Sequence, residues 1–340
     1  MLILGIESTC DETAAAVVAS GKHILSNVIS SQIDLQKEYG GVVPELACRR
    51  HIDVIIPVIN QALKEANLCL AQIDAIAAAK GPGLLGALLI GLNSAKALAL
   101  ATEKPFLGIN HVEAHLYAAI MPIVDQVEFP CLGVVISGGH TAIVKINTIG
   151  EYTLIGQTVD DAIGEAFDKV AIMLGLSYPG GPNIERLAKE GFPNRYPFKP
   201  GVVKGSPFDF SFSGLKTNVL YTLKGQNSDK QAPIVLPESE KAHIAASFQH
   251  TALSDIVDKA IIAAHQTQCK SIILGGGVSN NFYLRELFAT KKGKFEIYWP
   301  PTGLSLDNAA MIAGLAYHHY QKRPYGDSLD LEAMTRIPFK

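Results

Sequence analysis

The chain has 340 residues, 48% of them hydrophobic and 18% charged, with a formal net charge of −3. That length exceeds the size at which a single hydrophobic core stops growing, so two domains are expected, and the composition excludes a disordered or fibrous chain. The charge balance argues against the uniformly basic surface of an autonomous nucleic-acid binder.

In chain order, the first half reads as strands at Leu2 to Ile6, Ala14 to Ala19 and His23 to Ile29. A helix at Pro44 to Ala66, a strand at Ile73 to Ala79, a helix at Leu84 to Ala101 and a strand at Phe106 to Ile109 follow. The second half repeats the order: Cys131 to Ile136, Thr141 to Ile146 and Tyr152 to Ile155 as strands, then a helix through Val159 to Leu174. Later come Ser271 to Leu274, Asn281 to Lys291, Phe295 to Trp299 and a last helix from about Asp307 to Tyr320. Three strands followed by alternating helices and strands predict a mixed sheet covered on both faces, and two copies predict paired lobes with a cleft between them. The expected division places a first lobe at 1–121, with the C-terminal segment of about 307–340 packed back on it, and a second lobe at 122–306. Leu176 to Lys270 reads as an insertion, its first part rich in Gly, Pro and aromatics and its Ser239 to Gln268 part helical.

The N-terminus lacks a basic head and reaches Glu7 too soon for a signal peptide. The most apolar region, Ile73 to Ala101, is broken by Asp74, Lys80, Gly81, Pro82, Gly83, Asn93 and Lys96, so no membrane anchor is expected. Five scattered cysteines, none in C-x-x-C spacing, fit reduced thiols in a cytoplasm. Arg49-Arg50-His51, Arg195 with Lys199 and Lys204, Lys216, and Lys291-Lys292-Gly293-Lys294 read either as phosphate contacts or as solvated faces.

Glycine turns mark where each lobe would meet phosphate. Gly5 to Thr13 follows the first strand and Gly133 to Thr141 its counterpart. Backbone amides and the hydroxyls of Ser8, Thr9, Ser137 and Thr141 suit phosphate oxygens there. Either loop alone also reads as an ordinary hairpin; their equivalent placement in two lobes favours the ligand. Leu274 to Asn281 joins a strand to a helix, where a nucleoside would lie against side-chain-free backbone with Asn281 offering an amide, and Gly81 to Gly86 opens another helix. On the helix through Asp168, the apolar Ile163, Ala166, Phe167, Val170 and Leu174 face the core. Asp161, Glu165 and Asp168 share another face, a solvated acidic stripe or a ribose site beside the Tyr178 to Pro182 turn. Asp168 and Gly181 are the candidates for the ribose.

His111 and His115 stand four apart, so a helix puts both imidazoles on one face where they grip a cation. A zinc protease of the H-E-x-x-H kind needs its glutamate directly after the first histidine. Here Glu113 is two residues on, turned away by about 200°, and makes a poor general base. The pair reads as half a metal site or as a helix start with two partly solvated histidines. Asp307, opening the last helix, is either a helix-end charge or the oxygen ligand that completes the site.

The segments Glu7 to Thr13, Gly40 to Ala47, His111 to His115, Ser137 to Thr141, Asp160 to Lys169, Tyr178 to Pro182 and Phe212 to Thr217, with those around Gly275 and Asp307, resemble the bacterial tRNA adenosine threonylcarbamoyltransferases, the TsaD family. The likeness runs nearly end to end. It departs at Cys48, often serine, at Asn280, often alanine, and at Leu306, often threonine, where hydrogen bonding beside the metal is in question. The family was formerly described as a sialoglycoprotein endopeptidase.

The resemblance implies an α/β, actin-like ASKHA fold of two duplicated RNase H-like lobes around a nucleotide cleft. It also implies transfer of a threonylcarbamoyl group from threonylcarbamoyl-AMP to N6 of the adenosine just 3′ of the anticodon, in tRNAs reading codons that begin with A. By resemblance His111, His115 and Asp307 hold the metal, iron(II) with zinc as the alternative. Ile136, Ser137, Gly138, Gly139, His140, Asp168, Gly181 and Asn281 match substrate-binding positions, where ATP, ADP or AMP also fit. Asp11 and Glu12 are candidates for orienting the intermediate or accepting a proton. The implied partners are tRNA, a TsaB-like paralogous actin-fold subunit and a TsaE-like P-loop ATPase. A metalloendopeptidase and a non-enzymatic actin-like nucleotide-binding scaffold are the competing readings.

Overall fold

The computed structural model describes residues 1–225 and 237–338. Two compact units emerge: Met1–Val127 with Thr148–Glu151 and Pro300–Lys340, and Glu128–Asn147 with Tyr152–Trp299. The first contains β1 (Leu2–Glu7), β2 (Glu12–Ala19), β3 (His23–Ser31), α1 (Ile33–Lys37), α2 (Pro44–Glu65), β4 (Ala75–Gly81), α3 (Leu85–Thr102), β5 (Phe106–Asn110) and α4 (His111–Ile120). The second contains β6 (Cys131–Ile136), β7 (Thr141–Thr148), β8 (Glu151–Gln157), α5 (Ile163–Met173), α6 (Gly180–Ala188), α7 (Ser213–Lys224), α8 (Lys241–Gln266), β9 (Ser271–Gly275), α9 (Phe282–Lys291) and β10 (Glu296–Tyr298). The chain then supplies α10 (Ala309–Lys322) to the first unit.

Each unit carries one five-stranded sheet, ordered β3-β2-β1-β4-β5 and β10-β9-β6-β7-β8. In both, the first two strands pair antiparallel and the first strand pairs parallel with the fourth, so the expected duplication is real at the level of topology. With the fold likeness described below, this is an ASKHA architecture.

The burial follows from the composition of the strands. β1 and β2 are apolar on both faces, as strands covered twice must be, and α2 and α10 both pack on β2. Leu4, Ile6, Val17, Ile55, Ile59, Ile76 and Phe106 form the core of the first unit. The edge strand β3 is largely exposed, with Ser26 its one buried residue. α3 is long and apolar enough to cross a membrane by length and composition alone, yet it buries Ala87, Leu88, Leu92, Ala95 and Ala99 against this unit, packing on β4 and α2.

The inserted stretch differs from its reading in one respect. Its glycine- and proline-rich first part forms two helices, α6 and α7, beside the expected long α8. Ile184 and Ala188 in α6, and Leu215, Val219 and Leu223 in α7, recur at helical spacing and are buried, which outweighs the local turn formers. Residues 226–236 of the insertion, and the last two of the C-terminal segment, lie outside the described residues. The last helix begins at Ala309, two residues later than the reading, because Asn308 rather than Asp307 caps it: its side chain accepts from Met311 N at 3.1 Å.

Candidate functional site

The site in the first unit begins with a helix cap. β5 ends at Asn110, whose side-chain oxygen accepts from Val112 N at 2.9 Å and Glu113 N at 3.4 Å, so the helix starts at His111. One turn later comes His115, and the two rings meet edge to face at 4.6 Å between centroids. Asp307 stands in the turn before α10, a turn shaped by Asn308, whose Nδ2 donates to the carbonyls of Leu304 at 3.1 Å and Leu306 at 2.8 Å. Leu306 therefore contributes its backbone oxygen to this turn, while its side chain is exposed.

Asp307 Oδ1 lies 3.2 Å from His115 Nε2 and 3.7 Å from His111 Nε2. One ligand atom from each of the three residues falls within 4.8 Å of the others. Both ring nitrogens of His115 are buried without a hydrogen-bond partner, so the 3.2 Å approach to Asp307 is not a hydrogen bond. Leaving such atoms unmatched is costly, and a cation among the three residues would satisfy Nε2.

Glu7, fully buried at the end of β1, sets the orientation of His111. Its Oε2 lies 3.1 Å from His111 Nδ1. A carboxylate only accepts, so Nδ1 carries a proton, and Nε2, on the Asp307 side, is the nitrogen that would ligate a cation. The other oxygen, Oε1, accepts from Thr9 N at 2.6 Å, and Thr9 Oγ1 stands 3.4 Å from His111 Nδ1. Burial works against charge on His111, yet Glu7 and Asp307 outweigh it and raise its pKa to about 9. A negative potential that holds a proton on a buried ring also suits a metal cation. Two imidazoles and one carboxylate thus fit a metal of the iron or zinc type.

Glu113 is outside this cluster: its Oε2 lies 3.9 Å from His319 Nε2, in agreement with the helix geometry that turns it from the metal face. Burial raises its pKa to about 7 against the pull of Lys80 and Asn110.

Asp11 lies in the turn between β1 and β2 that also carries Thr9, and Glu12 opens β2 directly after it. Burial, with the charges of Asp11 and Asp307 added, raises the pKa of Glu12 to about 9. Burial is also the leading cause that raises the Cys10 thiol, with the same two carboxylates contributing.

The second unit holds the other predicted group. Ser137 to His140 is a tight turn in which Ser137 N donates to His140 O at 2.8 Å and His140 N donates to Ser137 Oγ at 3.1 Å. The start of α5 docks on it: Ile163 N donates to Thr141 Oγ1 at 2.9 Å and Gly164 N to Ser137 O at 3.2 Å. A Cβ on Gly164 would lie 2.7 Å from Ser137 O and Gly138 Cα, so only glycine lets helix and turn approach. From the other side Gly276, at φ +92°, comes so close that a Cβ would meet the Ile136 oxygen at 2.5 Å. Between these supports Gly138 and Gly139 face open space, as does Gly181. That leaves bare backbone against which a flat ligand would lie.

Asp168 Oδ1 accepts from Gly180 N at 2.6 Å, which ties α5 to the start of α6, where Gly181 stands. Of the acidic stripe, Asp161 and Glu165 belong to ion pairs: Lys169 reaches Asp161 at 2.7 Å and Glu165 at 2.6 Å, and Lys216 also bonds Asp161. Asn281 caps α9, accepting from Leu284 N at 2.9 Å, and its Nδ2 donates to Gln249 Oε1 at 3.0 Å. The amide expected to face a ligand is thus engaged with the buried Gln249.

Glu7 and Gln249 are the residues that sequence reasoning missed. Glu7 had a signal, a carboxylate closing an otherwise apolar buried strand; Gln249, inside a long helix, had none. If Glu7 orients the ligand histidine, Glu7→Gln should weaken metal binding on the order of 10- to 100-fold while the fold persists, as titration with metal would show. Unchanged affinity would remove Glu7 from the site.

The family model described as TsaD: tRNA N6-adenosine threonylcarbamoyltransferase matches residues 23–314. A relative of that name from Protochlamydia amoebophila (strain UWE25) is 65% identical over 341 residues, covering 100% of this chain and 99% of its own. Another, from Chlamydia pneumoniae, is 50% identical over 323 residues, covering 95% and 92%. Among solved structures, full-length HypF in its phosphate- and nucleotide-bound form is similar with a TM-score of 0.65 at 15% identity, over 96% of this chain and 47% of HypF. Component A of the (R)-2-hydroxyglutaryl-CoA dehydratase of Acidaminococcus fermentans gives 0.54 at 16% identity, over 95% and 98%. These two likenesses bear on the fold alone. With the family model spanning most of the chain and full-length relatives this similar, the chain belongs to the TsaD family of tRNA N6-adenosine threonylcarbamoyltransferases.

Proposed function

We propose that this chain transfers the threonylcarbamoyl group of threonylcarbamoyl-AMP to N6 of the adenosine immediately 3′ of the anticodon, in tRNAs reading codons that begin with A. The observation that carries the reading is the His111, His115 and Asp307 cluster with Glu113 outside it, in a chain 65% identical to a named transferase. A peptidase would need a carboxylate base beside the metal, and Glu113 faces His319 instead.

In the transfer, the N6 amine attacks the carbamoyl carbon, the new C–N bond forms, and the C–O bond to phosphate breaks to release AMP. His111, His115 and Asp307 would hold iron(II), or zinc in its place, and a metal there would supply Lewis-acid stabilisation of the negative charge that develops on the carbamoyl oxygen. Glu7 fixes the His111 ring for that role. Asp11 and Glu12 offer carboxyl groups to orient the intermediate or, through Asp11, to take up the amine proton. In the second unit, Ile136 to His140 and Gly181 present backbone to the adenylate, Asp168 holds the start of α6 beside Gly181, and Asn281, the cap of α9, is the remaining residue proposed for the site. ATP, ADP and AMP share enough of the adenylate to occupy the same loops.

The net charge of −3 leaves tRNA capture to be shared with partners, for which the family supplies a paralogous actin-fold subunit like TsaB and a P-loop ATPase like TsaE. α2 and α3 pack together, and each exposes a pair of large apolar residues one turn apart, Ile52 with Ile56 and Leu85 with Leu89. Such a strip suits helices of the actin-fold partner. All five cysteines are free, which agrees with the proposed cytoplasmic location. The test is mass spectrometry of nucleosides from tRNA incubated with this chain, its partners and threonylcarbamoyl-AMP: the modified adenosine is expected, and its absence with metal-loaded protein would overturn the reading.

A further inference from the structure

His51 sits in α2 with no exposed surface, among residues that read from sequence as a basic cluster. Burial lowers its pKa, against the bond to Cys10 and the charges of Glu7 and Asp11, so a neutral ring rather than a phosphate contact is held there. Its Nε2 lies 3.0 Å from the Cys10 carbonyl oxygen. That oxygen only accepts, so the proton is on Nε2, and Nδ1 accepts from the Thr13 hydroxyl at 2.7 Å. Cys10 directly precedes Asp11 and Glu12, and Thr13 directly follows them. One imidazole therefore grips both flanks of the acidic pair.

We propose that His51 is the positioning residue of the Asp11–Glu12 turn, holding it from α2 through the Cys10 carbonyl. Backbone bonds anchor the same turn: Leu84 N donates to Thr9 O at 2.9 Å and Gln32 N to Asp11 O at 3.1 Å. The turn also carries Thr9, bonded to Glu7 and beside His111, so a shift of Cys10 moves main chain next to the metal cluster. The consequence for turnover rests on the transfer reading; the hold on the turn does not.

Two amide substitutions separate the two bonds. Glutamine places its amide nitrogen where Nε2 sits, so His51→Gln keeps a donor for Cys10. Asparagine reaches only the Nδ1 position, so His51→Asn keeps the Thr13 contact and leaves Cys10 without its donor. With both variants melting near the wild type and binding metal in full, His51→Asn is expected to lose kcat on the order of 10²-fold at unchanged KM for tRNA, and His51→Gln to recover most of it. Amide hydrogen exchange reads the turn without any reaction: the Gln32 amide should exchange faster in His51→Asn and at the wild-type rate in His51→Gln. Equal Gln32 exchange in all three proteins, or a kcat loss shared by both variants, would overturn the proposal. A metal-loaded wild type that modifies no tRNA would contradict the transfer reading instead, and the exchange comparison would still decide the role of His51.

Discussion

His111→Asn is expected to abolish stable metal binding and to lower the rate of tRNA modification on the order of 10³-fold or more, with the protein still folded. Asparagine is the informative replacement because its amide stands where Nδ1 stands and can still donate to Glu7 Oε2, now 3.1 Å from the ring nitrogen. Alanine would strand a fully buried carboxylate, at a cost of about 3–5 kcal/mol, and confuse lost metal with lost fold. What asparagine cannot supply is Nε2, one of the three ligand atoms within 4.8 Å of each other. Lewis-acid stabilisation of a developing oxyanion is worth several kcal/mol, hence the size of the expected loss. Elemental analysis and the melting temperature check the two halves of the claim. Full metal occupancy in the variant would remove His111 from the ligand set.

The second large effect is expected in the other unit. Gly164→Ala places a methyl group 2.7 Å from Ser137 O and Gly138 Cα, both backbone atoms that cannot rotate aside. Either α5 or the Ser137 to His140 turn must move, at an overpacking cost of about 1–3 kcal/mol. Since α5 is tied by Asp168 to Gly180 and by Ile163 to Thr141, the turn is the element expected to yield. The KM for threonylcarbamoyl-AMP should therefore rise by about tenfold or more, since each factor of ten corresponds to about 1.4 kcal/mol of binding. Metal content, set by residues of the first unit, should be unchanged. Adenine-nucleotide binding by calorimetry checks this directly; wild-type affinity would place the ligand away from the turn.

What could be read from the sequence, and what could not, divides along physical lines. Periodic information was legible: the i, i+4 spacing of His111 and His115 placed both rings on one face, and the displaced Glu113 correctly spoke against a peptidase. The repeated order of strands and helices gave two sheets of the same topology. Asp307, far along the chain, was read either as a helix-end charge or as the third ligand, since no local pattern couples a turn residue to a helix so distant; the structure brings its carboxylate to the two imidazoles. Long-range side-chain partners stayed hidden for the same reason. Glu7 looked like a strand end until its contact with His111 was seen, and His51 looked like part of a basic run although its surroundings keep it neutral. Asn281 was read as offering its amide to a nucleoside, and the hydrogen bond of that amide to Gln249, buried in α8, was not legible. Helices α6 and α7 were obscured by prolines and glycines, whose turn-forming tendency is overridden by burial of Ile184, Leu215, Val219 and Leu223.

A metal held by His111, His115 and Asp307 is expected to serve transfer to tRNA rather than peptide cleavage. The most direct test is mass spectrometry of tRNA nucleosides after reaction with threonylcarbamoyl-AMP and the partner proteins, using the chain stripped of metal by a chelator and then reloaded with iron(II) or zinc. Threonylcarbamoyladenosine should form with the loaded protein, fall to background with the stripped one and return on reloading. Equal formation by stripped and loaded protein would contradict the account.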